Sequence, residues 1–155
     1  MNSNDVTNKI IHLNDHKNAN SDPAVKGMPG GATYPKIISI TSGKGGVGKT
    51  NIVANLGFTL RRFGKKVLIL DADLGLGNLD VLLGLTPQFN LSHVIRGEKQ
   101  LAEVVVPGPG GIQILPAASG IQDLTSLTQQ ERYLVFSQLD AFIHDFDIML
   151  IDTAA

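Results

Sequence analysis

The segment that most constrains this chain is Gly43-Lys44-Gly45-Gly46-Val47-Gly48-Lys49-Thr50. It lies between a short β-branched run, Ile37–Thr41, and a stretch of helical periodicity, Lys49–Phe63. The first reads as a strand. In the second, Ile52, Val53, Leu56 and Leu60 mark one helical face, and Gly64 supplies a C-terminal stop. Strand, glycine-rich turn and helix, in that order, predict a loop built to hold phosphate. Glycines let the backbone curl until successive N–H groups face one anion, and the helix start adds its positive end.

The segment satisfies G-x-x-x-x-G-K-[ST]. With glycine at about 7% and ordinary usage of the other residues, chance produces such a match in about one chain of this length in 200. The strand–helix setting lowers that further, so a plain glycine-rich helix cap is set aside. The backbone of Gly43, Lys44, Gly45, Gly46, Val47 and Gly48 then forms the cradle. Lys49 reaches the β- and γ-phosphates, and the Thr50 hydroxyl ligates Mg²⁺. ATP and Mg²⁺ are the expected cofactors.

Downstream, Val67–Leu70 reads as a second strand ending at Asp71. Leu79–Leu83 and Leu91–Arg96 read as short helices, the latter behind Asn90 as N-cap. Pro107–Gly111 reads as a loop and Ile112–Leu115 as a third strand. Thr128-Gln-Gln-Glu131 is a capping box opening a helix to about His144, with Val135, Leu139, Phe142 and Ile143 as its apolar stripe. Ile148–Ile151 is a fourth strand ending at Asp152. Apolar strands separated by helices predict an α/β fold, a parallel sheet with helices on both faces. Ligands of such sheets bind outside the carboxyl ends of the strands, which brings Asp71 and Asp152 to the mouth that holds the loop.

Residues 1–35 differ in kind. Six asparagines fall in the first 20 residues, followed by Gly27, Pro29, Gly30, Gly31 and Pro35. Such a segment buries too little apolar area to offset its ordering entropy and is expected to be a disordered leader. A docking peptide centred on Ile10–Leu13 is the alternative. The folded domain is expected over 36–155.

Composition narrows the chemistry. The chain has no cysteine, which excludes disulfides, thiolate zinc sites and cysteine-ligated iron–sulfur clusters. Its net charge of −1 gives no broad attraction to nucleic acid or an anionic membrane, and leaves a local patch open. No apolar run approaches the ~18 residues of a membrane span, and a cytoplasmic location is expected.

Lys44, directly after the first glycine, makes the loop K-G-G-x-G-K-T. With this second lysine the chain resembles the MinD/ParA group of deviant phosphate-loop ATPases. The resemblance implies an ATP-dependent homodimer in which Lys44 reaches the partner's phosphates and stabilises charge developing at the γ-phosphoryl. It implies that Asp152, behind Ile148-Met149-Leu150-Ile151, is a Walker B aspartate holding Mg²⁺ through water. Asp71 then orients that shell, and Asp73 positions the attacking water.

Flanking words select a branch. Partition ATPases follow the D-x-D with Pro-Gln, whereas here Asp71-Ala72-Asp73 is followed by Leu74-Gly75-Leu76-Gly77-Asn78-Leu79-Asp80. The run Asp71–Leu85, with Thr86-Pro87, Pro116-Ala117-Ala118-Ser119-Gly120 and the terminal Asp152-Thr153-Ala154-Ala155, is similar to flagellar-number regulators of the FlhG/FleN (YlxH) type. That resemblance implies partners among a flagellar transcription activator, a signal-recognition-type GTPase and C-ring proteins. It also implies peripheral contact with the inner membrane or cell pole. Division-site placement and DNA partition are the alternatives, the missing Pro-Gln and neutral charge arguing against DNA. A fragment acting only by partner binding is a third. Relatives of this type run well past a Walker B aspartate. The expectation is therefore an N-terminal half of the fold, its phosphate-loop strand left with one unpaired edge.

Overall fold

The computed structural model describes residues 33–73, 79–117 and 127–154. The expected leader lies outside them but for its last three residues. Val67–Ala72 (β2) and Ile148–Thr153 (β5) are the longest strands, and both are apolar on both faces. That two-sided pattern demands cover above and below. The cover comes from α1 (Lys49–Arg62) and α2 (Leu79–Leu82) on one face, and on the other from α3 (Leu91–Ile95), α4 (Leu101–Val104) and α5 (Gln129–Ile143). Alternate residues of each strand feed the two cores. Leu68, Leu70, Leu115 and Met149 join the α3–α5 side, and Val67, Ile69, Ile114, Ile148 and Leu150 join the α1 side.

The strand order is β1-β5-β2-β4-β3, where β1 is Lys36–Ile40, β3 is Val106–Pro107 and β4 is Gln113–Leu115. β1, β5, β2 and β4 are mutually parallel, while β3 runs antiparallel to β4 at the far edge. The stretch expected to be a plain loop thus contributes an edge strand, with a 3₁₀ turn at Pro109–Gly111. Pro107 is tolerated there because an edge strand can spare an N–H. β1 pairs with β5 alone, so its other edge is open among the described residues, as anticipated; Ile37 on it is 55% exposed.

The face of α1 also differs from expectation. Val53, Ala54 and Gly57 are the buried residues, whereas Ile52 is 58% exposed. A Cβ on Gly57 would lie 2.9 Å from the Ile69 side chain. The helix approaches the sheet on its small residues, and this turns Ile52 outward. On α5 the expected stripe faces inward, with Val135 and Ile143 buried and Leu139 and Phe142 packed against them. α4, which the periodicity did not predict, opens with a Gln100/Glu103 capping box.

Candidate functional site

β5 inserts between β1 and β2, and this placement assembles the site. In register, Ile40 at the end of β1 faces Asp152, and Asp152 faces Asp71. Neither aspartate ends its strand as expected, because each strand runs one residue further. The extra residue matters in β5. The Thr153 hydroxyl donates to the Ile40 carbonyl at 3.0 Å, adding a side-chain rung where β1 leaves the sheet. Sequence reading missed this role, since only the register shows what Thr153 reaches.

Beyond Ile40 the chain turns through 41–48. The Ser42 hydroxyl donates to the Lys44 carbonyl at 2.8 Å, a second contact not foreseen. Gly46 and Gly48 hold φ of 71° and 93°, a left-handed conformation that side chains strain to adopt. Gly43 and Gly45 have no such φ, and a Cβ on either would meet nothing within 4 Å. The protein's own packing does not call for glycine at those two positions, whereas an occupant lying against the loop would. Gly48 is the N-cap of α1, with no side-chain cap bond and no acidic residue in the first turn. The helix start is left to whatever anion fills the loop.

Asp71 and Asp152 are each 2% exposed. Asp71 accepts from the Asp73 N–H at 3.1 Å and the Leu79 N–H at 3.3 Å. Its burial still pushes its carboxyl up to about 6, aided by the nearby charges of Asp152 and Asp73 and opposed by those two N–H groups. Asp152 is likewise raised, chiefly by burial. The Thr50 hydroxyl bonded to it and the Lys49 charge pull it down, and Asp73 pushes it up. Asp152 Oδ1 is buried with no hydrogen-bond partner. Two carboxylates face each other with an acceptor unmet, which makes this mouth short of positive charge.

Lys49, Thr50, Asp71, Asp73 and Asp152 are therefore brought together as expected. Lys44 is exposed on the loop and makes no ion pair among the described residues. No group of three or more His, Asp or Glu side chains among the described residues is arranged to hold a metal unaided. A divalent cation here would draw further ligands from the Thr50 hydroxyl, phosphate and water. The residues present fit that demand.

A mainly parallel five-stranded sheet with this loop at its carboxyl mouth defines a MinD-like phosphate-loop NTPase fold. Residues 35–155 match the family described as AAA domain, and the chain belongs to it, as a MinD/ParA-type ATPase. It is 45% identical over 126 residues to antiactivator FleN of Pseudomonas aeruginosa, covering 81% of this chain and 45% of that protein. It is 40% identical over 120 residues to the flagellum site-determining protein YlxH of Helicobacter pylori, covering 77% and 41% respectively. The chain thus spans less than half the length of these two curated relatives. Among solved structures, the septum site-determining protein MinD of Pyrococcus horikoshii, complexed with Mg-ADP, superposes with a TM-score of 0.63 at 31% identity. That match covers 78% of this chain and 49% of that one.

Proposed function

We propose that this chain binds Mg²⁺–ATP at the mouth formed by Gly43–Thr50, Asp71 and Asp152. We further propose that it serves an ATP-hydrolysing switch regulating flagellar number, placement and gene expression. One observation carries the nucleotide reading: Asp152, buried with an unmet oxygen, takes the Thr50 hydroxyl beside Lys49 and faces Asp71. Thr50 and Asp152 would hold Mg²⁺, which when bound offsets charge on the phosphate oxygens. Lys49 would bind the phosphates, Asp71 would steady the carboxylate side, and Asp73 would position the attacking water. The relatives' printed roles in flagellar regulation support the flagellar part.

Lys44 extends into solvent without an ion pair, which suits a role in trans toward a second copy. The switch would then be an ATP-dependent homodimer in the cytoplasm, with peripheral contact at the inner membrane or cell pole. Flagellar activator, GTPase or C-ring proteins would be its partners. Two measurements test this. Calorimetry should show Mg²⁺-dependent ATP binding. The ATPase rate per protomer should rise with protein concentration, and Lys44→Ala should abolish the rise. A fast, concentration-independent rate would overturn the role in trans. Co-purification with division proteins instead of flagellar ones would move the chain to division-site placement, the reading favoured by its likeness to MinD.

A further inference from the structure

α1 runs from the phosphate loop to the opposite end of the sheet, where it ends in Arg61-Arg62-Phe63-Gly64-Lys65-Lys66. Backbone bonds close this turn. Gly64, at φ 78°, donates to the Arg61 carbonyl at 2.9 Å, and Lys65 donates to the Leu60 carbonyl at 3.1 Å. These are the paired bonds of a Schellman cap. The Arg61 guanidinium adds a bond to the Lys65 carbonyl at 3.0 Å. The turn is held in one shape, and what it displays is displayed deliberately.

What it displays serves no internal purpose. Such caps usually pack an apolar side chain, two residues past the cap, back onto the helix. Here that position is Lys65, and the apolar residue is Phe63, 76% exposed. Arg62, Lys65 and Lys66 are exposed around it. Lys36 opens β1 at the same end, since Lys36, Ile148 and Val67 lie in register across β1, β5 and β2. None of these cations is ion-paired; the ion pairs among the described residues are Arg96–Glu98 and Lys99–Glu103. The facing carboxylates are Asp147, engaged by the Lys66 N–H at 2.7 Å, then Asp145, and Asp140, which the Tyr34 hydroxyl engages. These three come from α5 and its exit, on the other face of the sheet.

The geometry points to a membrane-contact face: the turn Arg62–Lys66 with Lys36 seats on a bilayer bearing anionic headgroups, Phe63 entering its interface. Amphipathic attachment of this kind joins a buried aromatic side chain to cations attracted by the lipid surface. A bilayer is favoured over a nucleic acid because the ring projects from a helix end between cations. A base-stacking ring belongs in a cationic groove that follows the backbone. Each cation near an anionic surface strengthens attachment about fivefold, so four give weak, reversible contact that a second copy would reinforce. This inference rests on the peripheral membrane contact proposed above and gives it a face, remote from the nucleotide mouth.

Sedimentation of the whole chain with phosphatidylserine-containing or pure phosphatidylcholine vesicles tests it. The expected result is binding to the anionic vesicles alone, lost at high salt. The double variant Lys65→Gln, Lys66→Gln should weaken it on the order of tenfold or more, and Phe63→Ser several-fold. Mg²⁺–ATP affinity should be unchanged in both, which separates this test from that of the nucleotide site and shows that the variants fold. Lys99→Gln, on another surface, should leave vesicle binding intact. No binding to anionic vesicles, or equal binding by wild type and variants, overturns the proposal. So does salt-sensitive DNA retention through these residues without vesicle binding, which would assign the face to nucleic acid.

Discussion

The two long helices begin in opposite ways. α5 starts behind Thr128, whose hydroxyl accepts the Glu131 N–H at 3.3 Å while the Glu131 carboxylate accepts the Thr128 N–H at 2.8 Å. Its orphan amides have partners from within the chain, and Glu131 places negative charge at the positive end. α1 starts behind Gly48 with no side-chain cap and no acid, and its first residue is Lys49. A lysine there is unfavourable to the helix alone. One helix start completes itself, while the other is complete only with an anion from outside. The buried carboxylates beside α1 are short of a cation in the same way.

The largest test of this contrast is pH. Asp71 titrates near 6 in the folded chain against an ordinary value of 3.8. The folded state therefore binds more proton across that window. Stability should rise as pH falls from about 6 toward 4, by roughly 2–3 kcal/mol over the whole range. Glu98, Glu103 and Glu131 are lowered by their hydrogen bonds and act in the opposite sense only at more acid pH. Urea unfolding in EDTA should show the midpoint increasing between pH 7 and 5, and Mg²⁺–ATP should flatten that slope. A midpoint that instead drops as pH is lowered through this range would mean that the pair carries no unmet charge.

Next in size is Lys49→Ala. Losing a charge-assisted phosphate contact should weaken Mg²⁺–ATP binding on the order of 10- to 100-fold by calorimetry. The nucleotide-free chain should be no less stable, since a cation leaves the helix start. At α5 the pattern should invert. Thr128→Ala should lower stability by about 1 kcal/mol and leave nucleotide affinity unchanged. If Lys49→Ala destabilised the free chain as Thr128→Ala does, the two helix starts would not differ in kind. The smallest effect is expected for Thr153→Val. It removes the bond to the Ile40 carbonyl and should cost about 0.5–1.5 kcal/mol, with part of that loss appearing as weaker nucleotide binding because the loop follows Ile40 directly.

Local chemistry was legible where a residue acts on its neighbours. The Thr128/Glu131 box, Asn90 as the cap of α3 and Gly64 as the stop of α1 were all readable from a few adjacent positions. Ile52 was misread because periodicity reports which residues are apolar and not how closely the helix approaches. Gly57 and Ala54 set that approach only once Ile69 stands opposite. β3 was missed for a similar reason: two residues ending in proline become a strand only when β4 lies alongside.

The sequence by itself determined that Gly43–Thr50 would form a phosphate loop between a strand and a helix. Glycine, lysine and threonine at that spacing leave the backbone few other uses. It also determined that Asp71 and Asp152 would lie at the same end of the sheet, because both follow apolar strands in a parallel arrangement. Only the tertiary structure decided that β5 stands between β1 and β2, which puts the two carboxylates face to face and gives Thr153 the Ile40 carbonyl. Strand order is settled by how two cores fill on opposite sheet faces, a sum over distant side chains that no local pattern records. The same sum turned Ile52 outward and left Phe63 at the far end of α1, among cations the fold does not use.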